Sequence, residues 1–361
     1  MPRVYERIKS NFEKPKIIHV IGTNGKGTTG RFLATALYSL GFSVGHYSSP
    51  HILNFNERIW LNGSDASEEA LNLAHSELLT ILTKEEADSL SYFEYATFLA
   101  MLVYKDARYV VLEAGLGGER DATAAFKNEL TLVTPIDMDH EAFLGDTIAE
   151  IATTKLLGVQ KMAILSEQAN EEVYDVAFEL LRKKDKKHAR AEVYIDEEDE
   201  TKISIIARES SLENYLVNNL KLAIAALKYM NIPYEAKNFS NSKLFGRLSA
   251  FGDNVLLDVG HNVLAARAIL KSLTGDKYVL VYNSYKDKNY KEILRILRPI
   301  VKRVEIIDVL NERIEKKEIL QEALKELGIV HGRFDSIAQD EKYLVFGSFS
   351  VVEEFLRACN E

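Results

Sequence analysis

The sequence has little cysteine, proline or tryptophan: its 361 residues include one Cys, six Pro and one Trp. The single cysteine, Cys359, excludes an intrachain disulfide and fits a reducing compartment. Basic residues are outnumbered, since 45 Lys and Arg stand against 54 Asp and Glu, which leaves a net charge of −9. Without a global positive field we expect no nucleic-acid partner, and anionic ligands must be held by local sites.

Long apolar runs are also absent. The longest uncharged stretch, residues 32–56, is interrupted by Ser, His, Asn and Gly, whereas a membrane helix needs about 20 largely apolar residues. Residues 1–16 mix Arg, Glu and Lys without an apolar segment, so we expect no secretory signal. We therefore predict a cytoplasmic protein with no membrane partner.

The strongest local motif is the glycine-rich segment at residues 22–28, Gly-Thr-Asn-Gly-Lys-Gly-Thr, between an apolar run and a stretch of helical period. Glycines allow the backbone to approach a phosphate, and the N-terminus of a helix presents free N–H groups. Lys26 adds a cation, and Thr28 adds a hydroxyl for a phosphate-bound magnesium ion. The motif is shorter than the standard Walker spacing, yet we predict a triphosphate-binding loop. The alternative is a glycine-rich tight turn.

Short β-branched runs alternate with helical stretches along the chain, which predicts an α/β fold with a mainly parallel sheet. A polar stretch at residues 237–243 separates two such series. We predict a P-loop-type ATPase domain over residues 1–238 and a smaller Rossmann-like α/β domain over residues 239–361. The charged block at residues 182–200 is expected to form a solvated helix end and hairpin tip, with a docking surface as the alternative.

Polar residues follow three predicted strands at the point where each strand ends: Ser49, Glu113 and His140. The carboxyl ends of parallel strands meet at one edge of a sheet, so these side chains can meet the glycine-rich loop there. Oxygen ligands such as Ser and Glu suit magnesium, whereas His is a less usual ligand. Taken singly, each residue also has an ordinary interpretation as a turn residue, a surface carboxylate or a loop histidine.

Six motifs occur in order along nearly the whole chain, and together they are more specific than any one alone. They comprise residues 19–28; 48–51 with 56–59; 92–95; 112–118 with 121–123; 139–140 with 144–147; and 246–248 with 258–262 and 286–288. This set resembles the folylpolyglutamate synthase and dihydrofolate synthase family of the Mur ligase superfamily. The resemblance implies an ATP- and magnesium-dependent ligase that adds L-glutamate to dihydropteroate or a reduced folate through an acyl phosphate.

The resemblance also implies a role for particular residues. Those expected to bind ATP are Gly25, Lys26, Gly27, Thr28, Asn219, Arg247 and Asp258. Those expected to hold magnesium are Ser49, Glu113, His140 and Lys155, which the family carries as a carbamate. Those expected to hold the pterin are Ser91, Tyr92, Phe93, Glu94, Arg120, Asp121 and Ala122. Those expected to serve catalysis are Lys26, Lys155, Arg247 and His261, the last by contacting the phosphoryl group or the incoming glutamate.

A carbamate on Lys155 has a physical requirement. Near magnesium an ammonium group is repelled, whereas a carbamate offers a negative oxygen ligand. Carbon dioxide attacks only the neutral amine, and with an ordinary pKa of about 10.4 neutralising a lysine at pH 7 costs roughly 4.6 kcal/mol. The alternative is an ordinary lysine on a helix surface. For Tyr92 and Phe93, the alternative to pterin binding is a place in the core.

Two rival functions stay open on the sequence. One is a related Mur-type ligase that joins an amino acid to a cell-wall nucleotide precursor, and the pterin-type motifs at residues 92–94 and 121–123 argue against it. The other is a non-catalytic ATP-binding module. Family members usually begin well before the phosphate loop, and Glu119-Arg120 and Tyr215-Leu216 depart from the family pattern, so we expect altered pterin and adenine contacts. We expect a monomer.

Overall fold

The computed structural model describes residues 1–12, 14–273 and 275–360 of the chain. It divides into two units, Met1–Lys243 and Leu244–Glu361. Both units are α/β, so the predicted fold class is confirmed. The predicted domain limits, 1–238 and 239–361, stay predictions. Within the described ranges, no helix is long and apolar enough to cross a membrane.

The first unit is built on an eight-stranded sheet. Its strands are β1 (Lys16–Ile21), β2 (Val44–Tyr47), β3 (Ile59–Leu61), β4 (Ser64–Asp65), β5 (Tyr109–Glu113), β6 (Leu130–Val133), β7 (Met162–Leu165) and β8 (Lys187–Arg190). They lie in the order β4-β3-β2-β5-β1-β6-β7-β8. The six strands from β2 to β8 in that order are parallel, whereas β3 and β4 join antiparallel at one edge.

Helices connect these strands. They are α1 (Pro2–Ile8), α2 (Lys26–Ser39), α3 (Glu68–Ile81), α4 (Lys84–Ser89), α5 (Tyr92–Val103), α6 (Glu141–Leu144), α7 (Ile148–Leu156), α8 (Glu172–Lys183), α9 (Glu197–Glu209) and α10 (Asn214–Tyr229). The predicted helix at residues 27–40 is thus α2, displaced by one residue at each end. The segments α1, α3, α4, α6 and α9 were not predicted.

The central strands are covered on both faces. On β5, Val111 packs in one core with residues of α2 and α10, whereas Val110 and Leu112 pack in a second core with residues of α5. Successive side chains of a strand point to opposite faces, so a continuous apolar run is expected of a strand buried on both sides. This packing holds the carboxyl ends of β1, β5 and β6 at one edge of the sheet, where the candidate site begins.

The hairpin tip predicted within residues 182–200 is wrong. Residues Lys187–Arg190 form β8, which pairs in parallel with β7 at the edge of the sheet. The acidic run that follows opens α9, where the Asp196 side chain accepts from the Asp199 backbone N–H at 3.0 Å. Acidic side chains are favourable in the first turn of a helix because of its dipole. The sequence did not predict β8 because its residues, Lys-His-Ala-Arg, contain no apolar run.

The second unit contains a six-stranded sheet. Its strands are β9 (Ser249–Phe251), β10 (Val255–Leu257), β11 (Tyr278–Tyr282), β12 (Val301–Ile306), β13 (His331–Arg333) and β14 (Tyr343–Phe346), and its helices are α11 (Val263–Ser272), α12 (Tyr290–Leu297), α13 (Lys317–Glu326) and α14 (Phe349–Asn360). The order is β13-β12-β11-β14-β10-β9, and all strands except β9 are parallel. The predicted bounds of β11, β14 and α11 match the structure, whereas the short strands β9 and β13 were not predicted.

Two histidines buried in the first sheet make its stability depend on pH. Burial lowers the pKa of His19, on β1, to about 4, and it lowers the pKa of His46, on β2, well below its ordinary value. Unfolded histidine titrates near 6.5, so the unfolded chain binds more protons as the pH falls below that value. The stability present above pH 6.5 is therefore lost on acidification, and His19 accounts for about 3 kcal/mol of it by pH 4.

We expect His19→Gln to remove roughly 1 kcal/mol of the fall in unfolding free energy between about pH 7.5 and about pH 5.5. Urea unfolding followed by fluorescence measures this in the first unit, because Trp60 is the only tryptophan of the chain and is buried there. The control is His331→Gln, a partly exposed position of the second unit. If His19→Gln had the same pH dependence of unfolding free energy as the wild type, the lowered pKa of His19 would be contradicted.

Candidate active site

The glycine-rich loop connects β1 to α2 and requires glycine at two positions. Gly22 and Gly25 have φ values of 140° and 86°, a region that other residues rarely adopt. A Cβ at Gly22 would overlap Thr134, and a Cβ at Gly25 would overlap the amide of Asn219. Asn219 lies on α10, and its Oδ1 accepts from Thr29 Oγ1 at 3.4 Å. The structure thus brings a predicted nucleotide residue against the loop.

Two polar side chains of the loop are suited to a magnesium-bound phosphate. Thr28 Oγ1 is buried and has no hydrogen-bond partner among the described residues. A buried hydroxyl without a partner costs roughly 1–3 kcal/mol, which a ligand at this position would recover. Lys26 Nζ donates to the Thr23 carbonyl at 3.1 Å and lies 3.8 Å from Glu113 Oε1. The loop therefore presents a hydroxyl, a cation and a helix N-terminus together, more than a tight turn requires.

Glu113 joins the loop to the next strand end. It is the last residue of β5, is buried, and accepts from the Ser49 backbone N–H at 3.1 Å through Oε2. Because β2 and β5 are adjacent and parallel, the residues after them meet at one edge. Lys26, Ser49 and Glu113 are thus brought together, as predicted from their positions after strands.

His140 follows β6, beyond a segment that contacts the loop where the Asp137 N–H donates to Thr23 Oγ1 at 3.1 Å. It precedes the short helix α6 in a left-handed conformation, with φ 52°, and its Nε2 lies 3.9 Å from Asp139 Oδ2. Within the described part of the chain, no three His, Cys, Asp or Glu side chains are grouped as a metal site. Magnesium does not need such a group, because it keeps several waters and uses substrate phosphate oxygens. The donor set at this edge therefore fits a phosphate-bound magnesium ion.

Lys155, on α7, points into the base of the loop. Its side chain is 5% exposed, and Nζ donates to the Gly22 carbonyl at 2.9 Å. The alternative of an ordinary surface lysine is therefore excluded. Burial and the nearby Lys26 charge lower the pKa of Lys155 from 10.5 to about 7, although Asp139 and Asp121 act in the opposite direction. Because burial lowers this pKa, little further free energy is needed to neutralise the Lys155 amine at pH 7.

The glycines after β5 allow one loop to touch two helices. A Cβ at Gly115 would lie 2.7 Å from the Phe93 ring, and a Cβ at Gly118 would overlap the carbonyls of Thr154 and Lys155. The loop therefore connects the predicted pterin residue Phe93 on α5 with Lys155 on α7. Only residues without a side chain permit both approaches.

The predicted pterin residues at the start of α5 are partly used by the helix itself. Ser91 Oγ accepts from the Glu94 N–H at 3.3 Å, and Glu94 Oε2 accepts from the Ser91 N–H at 2.8 Å. Phe93 is half-buried and packs near Tyr47, whereas Tyr92 is 62% exposed. The exposed ring of Tyr92 is therefore available to a ligand.

A cluster of aromatic and basic side chains beside Tyr92 was not predicted. The Arg58 guanidinium lies 5.3 Å from the centre of the Tyr92 ring and donates to His51 Nδ1 at 2.8 Å. Phe55 lies edge-on to both rings, 6.1 Å from Tyr92 and 6.3 Å from His51. The motifs at residues 48–51 and 56–59 contained His51 and Arg58, but no role was deduced for them, and Phe55 lies between the two motifs.

Asp121 caps the 3₁₀ helix Ala122–Ala125. Its Oδ2 accepts from the Leu116 N–H at 2.8 Å, and its Oδ1 accepts from the Thr123 N–H at 2.9 Å. The neighbouring pterin candidates differ in exposure, because Arg120 is exposed and Ala122 is buried. Asp121, itself buried, therefore holds the shape of the loop.

Three predicted residues lie in the second unit, around the carboxyl end of β10. Asp258 is buried and accepts from the backbone N–H groups of Leu248 at 3.0 Å and Gly260 at 2.8 Å. The Arg247 guanidinium lies 5.4 Å from the Phe349 ring centre, and His261 Nδ1 lies 3.2 Å from the Val259 carbonyl. Asp258 thereby ties the segment of Arg247 to that of His261.

Sequence comparison identifies the family. No protein-family model matches the chain. The dihydrofolate synthase/folylpolyglutamate synthase of Haemophilus influenzae is 31% identical, over 97% of this chain and 92% of its own length. The chain belongs to the dihydrofolate synthase/folylpolyglutamate synthase family. The Escherichia coli protein of the same name is 30% identical over 96% of this chain and 87% of its own.

Solved structures that resemble this chain agree with the family assignment. Helicobacter pylori folylpolyglutamate synthetase is 36% identical, with a TM-score of 0.80 over 99% of this chain and 93% of its own. Escherichia coli FolC in complex with DHPP and ADP is 26% identical, with a TM-score of 0.82 over 99% and 92%. A bifunctional folylpolyglutamate synthase/dihydrofolate synthase solved with Mn, AMPPNP and L-glutamate bound is 26% identical, with a TM-score of 0.83 over 100% of this chain and 93% of its own. The predicted family, ligase class and Mur ligase fold are confirmed.

The contact between the loop and Asn219 can be tested by adding a methyl group. We expect Gly25→Ala to destabilise the first unit by about 1 kcal/mol more than Gly41→Ala, because both glycines have φ near 86° but only Gly25 faces a neighbour. At Gly41 nothing lies within 4 Å of the added carbon. Urea unfolding followed by Trp60 fluorescence gives the comparison. Equal destabilisation by the two substitutions would show that Asn219 does not restrict the loop.

Proposed function

We propose that this chain is an ATP- and magnesium-dependent ligase that adds L-glutamate to dihydropteroate or to a reduced folate. The observation that carries the proposal is the convergence of Thr28, Lys26 and Glu113 at the carboxyl ends of β1 and β5. Relatives with the same fold have been solved with ADP and DHPP, and with AMPPNP, Mn and L-glutamate. Both ligand sets fit a ligase of this reaction.

The proposed reaction has two steps. A carboxylate oxygen of the acceptor attacks the γ-phosphorus of ATP, so that ADP leaves and an acyl phosphate forms. The neutral amine of glutamate then attacks the acyl carbon, loses a proton, and expels phosphate to leave an amide. Positioning and charge neutralisation supply most of the rate in phosphoryl transfer. Lys26 and the N–H groups at the start of α2 supply positive potential to the phosphates.

Magnesium, when bound, would neutralise phosphate charge, and we propose Ser49, Glu113, His140 and a carbamate on Lys155 as its protein ligands. The carbamate forms when the neutral Lys155 amine attacks carbon dioxide and loses one proton. Two observations support it: the amine is buried, and it lies at the backbone of the phosphate loop. A negative oxygen there would replace a repelled ammonium group.

The remaining roles are those that membership of the family implies. We propose that Asn219, beside Gly25, contacts the nucleotide, and that Arg247 and Asp258 of the second unit bind it too. For His261 we propose contact with the phosphoryl group or with glutamate.

The proposed pterin site comprises Ser91, Tyr92, Phe93, Glu94, Arg120, Asp121 and Ala122. Among them, the exposed Tyr92 offers a ring for stacking, and Asp121 offers an acceptor for ring N–H groups. A cytoplasmic location and a monomeric state are part of the same proposal.

Phosphate release tests the function. The chain is incubated with ATP and magnesium, with dihydropteroate or tetrahydrofolate as acceptor, with and without L-glutamate, and the products are weighed by mass spectrometry. We expect release that requires both acceptor and glutamate, and a product heavier by one glutamyl residue. ATP binding without turnover would instead support a binding module. Turnover only with a cell-wall nucleotide precursor would support the other Mur-type ligase.

A further inference from the structure

A buried series of hydrogen bonds links β1 to the loop after β5. His19 Nε2 lies 2.8 Å from Thr123 Oγ1, and both residues are fully buried. Thr123 Oγ1 lies 2.6 Å from Asp121 Oδ1. Asp121 is 8% exposed whereas His19 and Thr123 are 0% exposed, so Asp121 is the member of the series that retains some contact with solvent. No step of the proposed reaction uses His19 or Thr123.

The direction of these hydrogen bonds follows from the groups themselves. A carboxylate only accepts, so the single hydroxyl proton of Thr123 is donated to Asp121. Thr123 Oγ1 must then accept from His19, which places the imidazole proton on Nε2. His19 Nδ1 is left without a proton, and it is buried without a hydrogen-bond partner in the described ranges. Thr123 thereby selects one tautomer of the neutral imidazole.

The same series leaves Asp121 little freedom. Its Oδ1 accepts twice from Thr123, and its Oδ2 accepts once from the Leu116 N–H. A carboxylate has about four lone-pair positions, so one position on Oδ2 remains for another donor. Thr123, which is itself held by His19, fixes the orientation of that lone-pair position.

We propose that His19 is a positioning residue for the acceptor substrate. Through Thr123 it holds the Asp121 carboxylate so that one oxygen can accept from an N–H group of the heterocyclic ring. The identity of that ring rests on the proposed function. The hydrogen-bond series itself rests only on distances and burial.

Kinetics of four variants test the positioning role. Thr123→Val and His19→Phe remove one donor each, whereas Thr123→Ser and His19→Gln keep a hydroxyl or an Nε2–H group at the same place. We expect the first pair to raise KM for the pterin-bearing acceptor roughly tenfold, with KM for ATP and kcat changed less than about twofold. The second pair should stay within about threefold of the wild type. Equal rises in both KM values, or no rise, would overturn the proposal.

A spectroscopic measurement keeps the inference testable without turnover. Nitrogen-15 NMR of histidine-labelled protein reports which ring nitrogen carries the proton, and comparison with His19→Gln assigns the signal. In the wild type we expect a neutral His19 imidazole that carries its proton on Nε2 alone. In Thr123→Val we expect this single tautomer to be replaced by a mixture of the two. An Nδ1–H tautomer in the wild type would overturn the series. If the wild type releases no phosphate with any acceptor and glutamate, the proposed function fails instead, and the two failures are distinct.

Discussion

Replacing Lys26 with alanine is expected to lower kcat/KM for ATP roughly 10³-fold while the protein stays folded. The Lys26 ammonium stands at the first turn of α2, 3.8 Å from Glu113, where no other side chain of the loop carries positive charge. A phosphoryl group in transfer needs fixed cations around it, and alanine supplies none. Its Nζ contacts the Thr23 carbonyl and the Glu113 carboxylate, which are polar groups, so we expect the apolar core to keep its packing.

Steady-state phosphate release measures the effect, with circular dichroism and Trp60 fluorescence as checks of folding. The matched control is Lys105→Ala, which removes an exposed lysine paired with Glu77 at 3.7 Å and should leave turnover unchanged. Wild-type turnover in folded Lys26→Ala would refute the assignment of residues 22–28 as a phosphate loop.

The sequence predicted best those parts of the fold in which the apolar pattern along the chain matches the burial of the same residues in the structure. The run Lys16–Ile21, its glycines and α2 were predicted together because an apolar strand, a turn and a helical period follow one another. Ser49 and Glu113 were placed at one edge because parallel strands end there, and the structure joins them by a hydrogen bond. Such inferences need only local pattern and the geometry of a parallel sheet.

The rest depended on contacts between distant segments. The burial of Lys155 cannot be deduced from α7, because it arises where the backbone of Gly22 meets that helix. The link from His19 to Thr123 spans 104 residues. Asp121 was expected to bind pterin, whereas Leu116 and Thr123, which are close to it in sequence, already occupy most of its carboxylate; this local turn was not predicted.

Replacing Lys155 with alanine is expected to lower turnover at least about 10²-fold, and a small carboxylic acid or bicarbonate should restore part of it. The substitution removes the amine on which the proposed carbamate forms, and it leaves a space beside the Gly22 carbonyl. A diffusible oxygen anion can enter that space and supply the missing negative ligand. Turnover measured against formate and acetate concentration should therefore rise and saturate.

Two comparisons separate this rescue from a general effect of added anions. Lys161→Ala removes an exposed lysine paired with Glu129 and should be unaffected by either acid. Lys26→Ala lacks a cation, so the same anions should not restore it. The wild type, supplied with carbon-13 carbon dioxide, should show a carbamate resonance that is absent from Lys155→Ala. An unmodified Lys155 in fully active, metal-loaded protein would refute the carbamate, because the charge of an ammonium at this position opposes the metal that the reaction requires.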